Sequence, residues 1–253
     1  LYNYWSFTEE KREAVLKTMN TLESYGILTK PASSEFAVTH QKTFVIDDSK
    51  AIIMTFNLQS SYFVHTRDFG IITTDPDEVS EIVKVFQSDW NYTKVTPEVA
   101  SLVWSNDNAR TKILELVRSA TQSLKIYCEE MEDQQFLDAL IMKADSGVSV
   151  QVISAQLGGT GEADENKKYR EYLNQHGVQA KYMPTDDYLY CHAKMILVDY
   201  GTSNAKAFVG SENFSSASLD KNRELGIIVS ESDILSTLHN TFETDWLNCR
   251  YDF

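Results

Sequence analysis

The sequence predicts an α/β protein of two tandem domains, each a mixed β-sheet flanked by helices in an α/β/α arrangement, related by internal duplication. A His-x-Lys-x4-Asp motif occurs twice, at residues 40–47 and 192–199, which lie 152 residues apart (192 − 40). Further matched segments follow both copies in the same order. Short apolar runs alternate with helical patterns, and this alternation is typical of a sheet covered by helices on both faces.

The segments that follow each motif define the repeat. The corresponding positions are Thr55 and Ser211, Asn57 and Asn213, Arg67 and Arg223, Asp68 and Glu224, Phe86 and Phe242, Asp89 and Asp245, and Trp90 and Trp246. They lie 156 residues apart (211 − 55), so the second copy carries four extra residues (156 − 152), which we place in the loop-like stretch 200–204. Ordered matches with one short insertion are hard to obtain by chance, so we predict a duplicated domain.

The elements before the motifs are less evenly repeated. Residues 22–27 predict a helix that ends at Gly26 and leads into a strand, and residues 173–178 repeat this pattern with Gly177. Only the second copy has earlier elements, namely a helix over 109–122, a strand over 124–128, a helix over 134–146 and a strand over 148–153. Leu1 aligns with about Ile153. We therefore predict domains at 1–98 and 99–253. The first is expected to lack its N-terminal part, which an upstream segment or an oligomer would complete.

Composition and charge argue against some classes of function. The chain of 253 residues has a net charge of −14. A nonspecific nucleic-acid binder usually carries a basic surface, because phosphate neutralisation supplies most of its affinity, so the acidity counts against that role. No apolar run approaches the roughly 18 residues of a membrane span, and we expect no transmembrane segment. The first residues lack the pattern of a signal peptide. Any targeting signal is expected before Leu1, and we favour an extracytoplasmic or membrane-peripheral location.

The repeated side chains suit a phosphodiester substrate. Residues i and i+2 of a strand point the same way, so His40 and Lys42 are predicted to share a face, as are His192 and Lys194. The further polar groups of the two copies are Thr55, Asn57, Ser211 and Asn213. Lysines and neutral donors would neutralise the phosphate oxygens, on which charge grows in the transition state. One histidine would attack phosphorus, and the other would protonate the leaving oxygen and then activate water or an alcohol.

Two pairs of acids accompany the histidines. Asp68 and Glu224 are predicted to orient the imidazoles, because a carboxylate on one ring nitrogen fixes the tautomer. Their alternative role is a local ion pair with the neighbouring Arg67 or Arg223. The motif acids, Asp47 and Asp199, point away from the histidines by strand parity. They are expected to be structural and hydrogen-bonded under the sheet.

A metal site is the main chemical alternative for paired histidines and acids. A lysine two residues from each histidine opposes cation binding, and the spacing matches no known ligand pattern, so we expect no metal and no other cofactor. Tyr188 and Tyr190 precede His192. They would either line the entrance for the substrate or pack in the core.

The doubled motif, with Ser/Thr-x-Asn after each copy, resembles the phospholipase D superfamily from about residue 22 to about residue 246. The resemblance implies two α/β/α domains related by a pseudo-twofold axis, with one active site at their interface. It also implies a metal-independent ping-pong reaction through a phosphohistidine. By the same resemblance, His40 is the nucleophile and His192 is the general acid and base.

The resemblance leaves several functions open. We expect a phosphodiesterase that hydrolyses phospholipids, or transfers their phosphatidyl group, at a membrane surface. Tyrosyl-DNA phosphodiesterases lack the motif Asp, Nuc-type nucleases carry one motif per chain and dimerise, and integral cardiolipin synthases carry N-terminal membrane helices. The alternative is a metal-independent nuclease acting on DNA or RNA. A non-catalytic scaffold is the second alternative, against which the intact His, Lys and Asn of both copies argue.

Overall fold

The structure is a computed structural model that describes residues 8–252, so Leu1 and its alignment with Ile153 lie outside the described residues. The first half of the chain forms α1 (Glu9–Ser24), β1 (Lys42–Ile46), β2 (Lys50–Met54), β3 (Thr66–Arg67), β4 (Gly70–Thr73) and α2 (Pro76–Asn91). Strands β1, β2 and β4 form an antiparallel sheet in that order. Helix α2 starts where the Asp75 carboxylate caps two backbone amides and Pro76 supplies a first residue that needs no amide donor.

The second half is built around a seven-stranded sheet. Its elements are β5 (Leu102–Trp104), α3 (Ala109–Ser119), β6 (Ser123–Cys128), α4 (Gln134–Asp145), β7 (Ser149–Ser154), α5 (Lys167–Gln175), β8 (Gln179–Tyr182), β9 (Tyr190–Cys191), β10 (Met195–Val198), β11 (Lys206–Gly210), α6 (Ser216–Asp220), β12 (Leu225–Val229) and α7 (Ser232–Asn248). The strand order is β5-β12-β11-β10-β6-β7-β8. Strands β6, β7 and β8 are parallel and the others antiparallel, which confirms the predicted mixed α/β architecture.

The two faces of the large sheet carry different cores. On one face, apolar residues of α3 and α4, such as Ile113 and Leu140, pack with residues of the sheet such as Ile196. On the other, a single cluster joins the two halves of the chain, because Ile53 of β2 and Val85 of α2 belong to it together with residues of the second half. Strand β10 is buried along its whole length, as expected for a strand covered on both faces. The segments that carry the two motifs are therefore linked by one continuous core.

Two element predictions differ from the structure. The helix predicted over 109–122 ends at Ser119, because the amides of residues 121–123 bond to Asp199 instead of continuing the helix. The strand predicted after Gly26 does not form, although its counterpart β8 follows Gly177. Strand β8 pairs with β7, and the described part of the first half offers no strand equivalent to β7. Among residues 8–252, no helix is long and apolar enough to cross a membrane.

Backbone pairing also crosses between the halves. Strand β3 pairs in parallel with β9, with Arg67 opposite Cys191, and an isolated parallel bridge joins Thr39 to Arg223. Residues 39 and 191 occupy matched positions in the repeat, as do 67 and 223. The two contacts are therefore equivalent under exchange of the halves. This is the pseudo-twofold relation expected of a duplicated domain.

Candidate active site

Each repeated histidine is oriented by a carboxylate from the opposite half of the chain. His40 Nδ1 lies 2.7 Å from Glu224 Oε2, and His192 Nδ1 lies 2.8 Å from Asp68 Oδ1. With Nδ1 as the donor to the acid, Nε2 is the nitrogen of each ring that is left for chemistry. Neither half contains both members of a histidine–carboxylate pair, so the site exists only where the two halves meet.

The orienting carboxylates are themselves held by neighbouring side chains. Asp68 accepts hydrogen bonds from the hydroxyls of Thr55 (2.6 Å) and Thr66 (2.5 Å). Glu224 accepts from the Ser218 hydroxyl (2.5 Å) and the Asn222 amide (2.9 Å). Burial raises the pKa of Glu224, but the bond and charge of His40 and these two donors outweigh it and lower the pKa below its usual value. Glu224 therefore stays ionised beside the imidazole.

The neighbouring arginines do not form the local ion pairs considered as the alternative. Arg67 binds Asp245 through Nε (2.5 Å) and Nη2 (2.9 Å). Arg223 Nη2 lies 3.1 Å from Asp89 Oδ1. These two pairs again join matched positions across the halves. They leave both orienting acids to the histidines.

The motif histidines lie just before strands and not within them, which differs from the strand-parity prediction. The amide of His40 bonds to the carbonyl of Arg223, outside any strand ladder, and His192 lies between β9 and β10. Each motif lysine instead folds back onto its own histidine. Lys42 Nζ donates to His40 O and Lys194 Nζ donates to His192 O, both at 2.6 Å. Histidine and lysine are thus brought together by this hydrogen bond.

Burial perturbs the charges of the site. Desolvation and the nearby Lys194 lower the pKa of Lys42 to about 7, against the opposing charges of Glu224, Glu129 and Asp68. Burial and Lys194 also lower the pKa of His192 below its usual value. An added phosphate would favour the protonated form of both groups.

The structure separates the hydroxyl groups from the carboxamides. Thr55 and Ser211 are fully buried. The Thr55 hydroxyl bonds to Asp68, and the Ser211 hydroxyl bonds to the backbone of Leu225. Contrary to the prediction, neither hydroxyl is free to bind a phosphate. Asn57 and Asn213 follow them and are half-buried. The buried Oδ1 of Asn213 has no hydrogen-bond partner within residues 8–252.

The two motif aspartates differ in environment. Asp199 accepts hydrogen bonds from the backbone amides of residues 121–123 and from the Thr121 hydroxyl, which is the expected structural arrangement. Burial raises the pKa of Asp199, but these donors lower it below its usual value. For Asp47 the expectation was wrong. It is exposed in the turn after β1, and no described segment of the first half matches residues 121–123 beside it.

Two further residues reach the histidines and escaped the sequence prediction. The Tyr62 ring packs edge-on against the His192 ring, with centroids 4.7 Å apart. Glu129 contacts Lys194, His192 and the hydroxyl of Tyr190. Glu129 directly follows β6, so an acidic residue at the carboxyl end of a predicted strand was the available signal. Tyr188 donates to Asp245 and does not reach the site histidines through that bond.

Glu212 is a buried carboxyl group beside the site that the motif chemistry does not use. Its carboxyl oxygens make no hydrogen bond to another side chain within the described chain, and they lie against Gly210 and Gly226. A Cβ atom at Gly210 would come within 2.3 Å of Glu212 Oε2, so a side chain there would clash. Burial and the charge of Glu224 raise the pKa of Glu212 well above its usual value.

The raised pKa of Glu212 leads to a prediction of how the free energy of unfolding depends on pH. Because its pKa is higher in the folded protein than in the unfolded chain, the free energy of unfolding should fall as pH rises above about 4.3. Glu212→Gln removes the titration, so the loss of stability between about pH 5 and about pH 8 should be smaller in the variant. Urea unfolding at both pH values measures it, with the exposed Glu115→Gln as control. An equal loss in Glu212→Gln and the wild type would contradict the prediction.

The cross-paired histidines and acids can be compared with known proteins. A family model described as "Cardiolipin synthase, PLD-like domain" matches residues 7–90 and 113–246, one stretch in each half. The chain belongs to the phospholipase D superfamily. Superfamily members are phosphodiesterase-type enzymes, and membership confirms the resemblance drawn from the doubled motif.

Individual relatives are distant. The chain is 25% identical over 186 residues to the DISARM protein DrmC of Bacillus paralicheniformis (strain ATCC 9945a / NCIMB 11709 / CD-2), covering 70% of this chain and 75% of the relative. The solved phospholipase D family member Nuc from Salmonella typhimurium has a TM-score of 0.51 at 22% identity, covering 59% of this chain and 94% of Nuc. Phosphatidylserine synthase of Haemophilus influenzae Rd KW20 has a TM-score of 0.64 at 12% identity, covering 90% and 67%. At these identities the two structures show the fold alone.

Proposed function

We propose that this phospholipase D superfamily member cleaves phospholipid phosphodiester bonds, by hydrolysis or phosphatidyl transfer, at a membrane surface. The observation that carries the proposal is an exposed apolar loop beside the site, which we call the rim loop and define as Leu58, Phe63 and Val64. Their exposed fractions are 58%, 63% and 65%. The loop flanks Tyr62, whose ring packs on His192. Exposed apolar side chains at the mouth of a polar site suit acyl chains and a membrane interface.

The proposed chemistry follows from the hydrogen bonds. Glu224 holds His40 Nδ1–H, and His40 Nε2 has no hydrogen-bond partner within residues 8–252, so this nitrogen is placed to attack phosphorus. The P–O bond to the leaving alcohol breaks as His192 Nε2 gives that oxygen a proton, and a phosphohistidine forms. His192 then takes a proton from water or an alcohol. The new oxygen displaces His40 from phosphorus and restores the enzyme.

The charged groups act on the transferring phosphoryl group. Lys42 and Lys194, each fixed by its own histidine carbonyl, would bind the non-bridging oxygens. Fixed donors of this kind stabilise the growing charge without reorganising during the reaction.

The test is headgroup release from vesicles of stated phospholipids in the presence of EDTA. We expect release by the full chain, and loss of vesicle activity in a rim-loop variant with Leu58, Phe63 and Val64 changed to serine. The same variant should retain activity on a short, water-soluble phosphodiester, because the rim loop does not touch phosphorus. The matched control changes Leu28 and Phe86, which are also exposed and apolar, to serine. Absence of headgroup release together with EDTA-resistant cleavage of DNA or RNA would replace the proposal with the nuclease alternative.

A further inference from the structure

The carboxylate of Glu129 contacts Lys194 and His192, the two groups of the second motif that would bind a phosphate. Its Oε2 lies 2.6 Å from Lys194 Nζ and 3.3 Å from His192 Nε2. Its other oxygen, Oε1, accepts a hydrogen bond from the Tyr190 hydroxyl at 3.1 Å. The side chain is 16% exposed, so it is a part of the site wall that a ligand can still reach.

This position is the one that a phosphoryl oxygen would need. In the proposed reaction, Lys194 binds a non-bridging oxygen and His192 Nε2 protonates the leaving oxygen. One carboxylate oxygen of Glu129 contacts both atoms, so it and the phosphate compete for the same place. A phosphate oxygen and a carboxylate oxygen that are both in contact with Lys194 would repel each other strongly in a partly buried site.

We propose that Glu129 is a specificity-determining residue that lies where a phosphoryl oxygen would bind and selects monoanionic phosphodiesters over dianionic phosphomonoesters. The inference rests on the proposed phosphodiesterase site, but not on the substrate being a lipid. Asp68 and Glu224 are each committed to a histidine, so Glu129 is the carboxylate that meets the phosphate. A monoester carries close to two negative charges near neutral pH and a diester carries one, so the fixed charge opposes the monoester more.

The selection has a consequence for turnover. Hydrolysis of a phospholipid by this chemistry produces a phosphomonoester, whose dianion resembles the substrate in shape. Glu129 would lower the affinity of the site for that product and so limit product inhibition. The residue makes direct contact on one side only, with His192 and Lys194, whereas His40 Nε2 has no comparable partner in the described part of the chain.

A purely structural role predicts the opposite result. Lys194 is fully buried, and a buried ammonium group needs a counter-charge. If Glu129 served only to hold Lys194 in place, its removal would disorder the lysine and weaken anion binding. If Glu129 competes with the ligand, its removal strengthens anion binding. The direction of the change separates the two roles.

The experiment measures the binding of inorganic phosphate and of dimethyl phosphate to the full chain by titration calorimetry near neutral pH. Glu129→Gln keeps the shape of the side chain and removes its charge. We expect phosphate to bind about tenfold tighter or more, and dimethyl phosphate to gain about threefold or less, because the dianion feels the greater repulsion. Tyr190→Phe, which frees Glu129 Oε1, should shift phosphate binding in the same direction by a smaller factor. Glu132→Gln, an exposed glutamate three residues away, should change neither.

Unchanged or weaker phosphate binding in a folded Glu129→Gln protein would overturn the inference, as would equal gains for the two ligands. If Glu129→Gln fails to fold, the Tyr190→Phe result decides in the same way. Anion binding does not depend on which diester is cleaved. If headgroup release fails, the phosphate-binding measurements can therefore still be interpreted. If the phosphate-binding prediction fails, the proposed phosphodiesterase function is unaffected.

Discussion

His40→Ala is expected to abolish trapping of a covalent phosphoenzyme, whereas His192→Ala should still form it when the leaving group needs no proton. His40 carries the proposed nucleophile, and no second group replaces it. His192 supplies a proton, and general acid catalysis contributes about 10²–10⁴-fold. With an alkyl leaving group, His192→Ala should lose activity in that range. With a p-nitrophenyl leaving group, whose oxygen departs without protonation, the rate of phosphoenzyme formation should largely return, whereas turnover should stay impaired because His192 also activates the water or alcohol. Rapid quench with radiolabelled phosphodiester measures the trapped species.

The crossed hydrogen bonds supply the control for this prediction. Glu224 lies in the second half but orients His40, and Asp68 lies in the first half but orients His192. Glu224→Gln should therefore impair formation of the phosphoenzyme, and Asp68→Asn should impair protonation of the leaving group. Stronger loss of trapping in His192→Ala than in His40→Ala would reverse the assigned roles.

Asp245→Ala is expected to lower the free energy of unfolding by about 3 kcal/mol, because it leaves the partly buried Arg67 and two tyrosine hydroxyls without their shared acceptor. Asp245 is fully buried and accepts two bonds from Arg67. It also accepts from the hydroxyls of Tyr127 (2.6 Å) and Tyr188 (2.7 Å). Because Arg67 belongs to the first half, the change should also loosen the docking of the halves. Urea unfolding followed by tryptophan fluorescence measures the loss.

The matched position in the first half provides the comparison. Asp89 contacts Arg223 through one bond of 3.1 Å, is more exposed, and shares its arginine with Asp107. Asp89→Ala should therefore cost about 1 kcal/mol or less, because Arg223, although buried, keeps its ion pair with Asp107. Equal losses from Asp89→Ala and Asp245→Ala would show that the burial of Asp245 does not govern its contribution.

The repeat in the sequence indicated most of the candidate site, because chemistry that needs two of each group leaves matched residues in both copies. The histidines, lysines and orienting acids were all found in this way. Which acid serves which histidine was not predictable, since aligned positions do not reveal that the halves exchange partners. Glu129 was missed because it follows β6, a strand that has no repeat in the described part of the first half. The environment of Asp47 was misjudged for the related reason that its counterpart, Asp199, depends on amides of a segment the first half does not supply within the described residues.

The exchange of acids between the halves ties the reactivity of the imidazoles to the integrity of the whole molecule. When the halves separate, Nδ1 of each histidine loses its acceptor and the ring is free to adopt either tautomer. A partly opened molecule would then hold two ordinary surface histidines with no fixed nucleophile. Such a molecule would not be phosphorylated on its histidines while it folds or while the halves transiently separate. In the proposed reaction the histidines would become reactive only when the halves close, so activity would report that the halves are correctly docked.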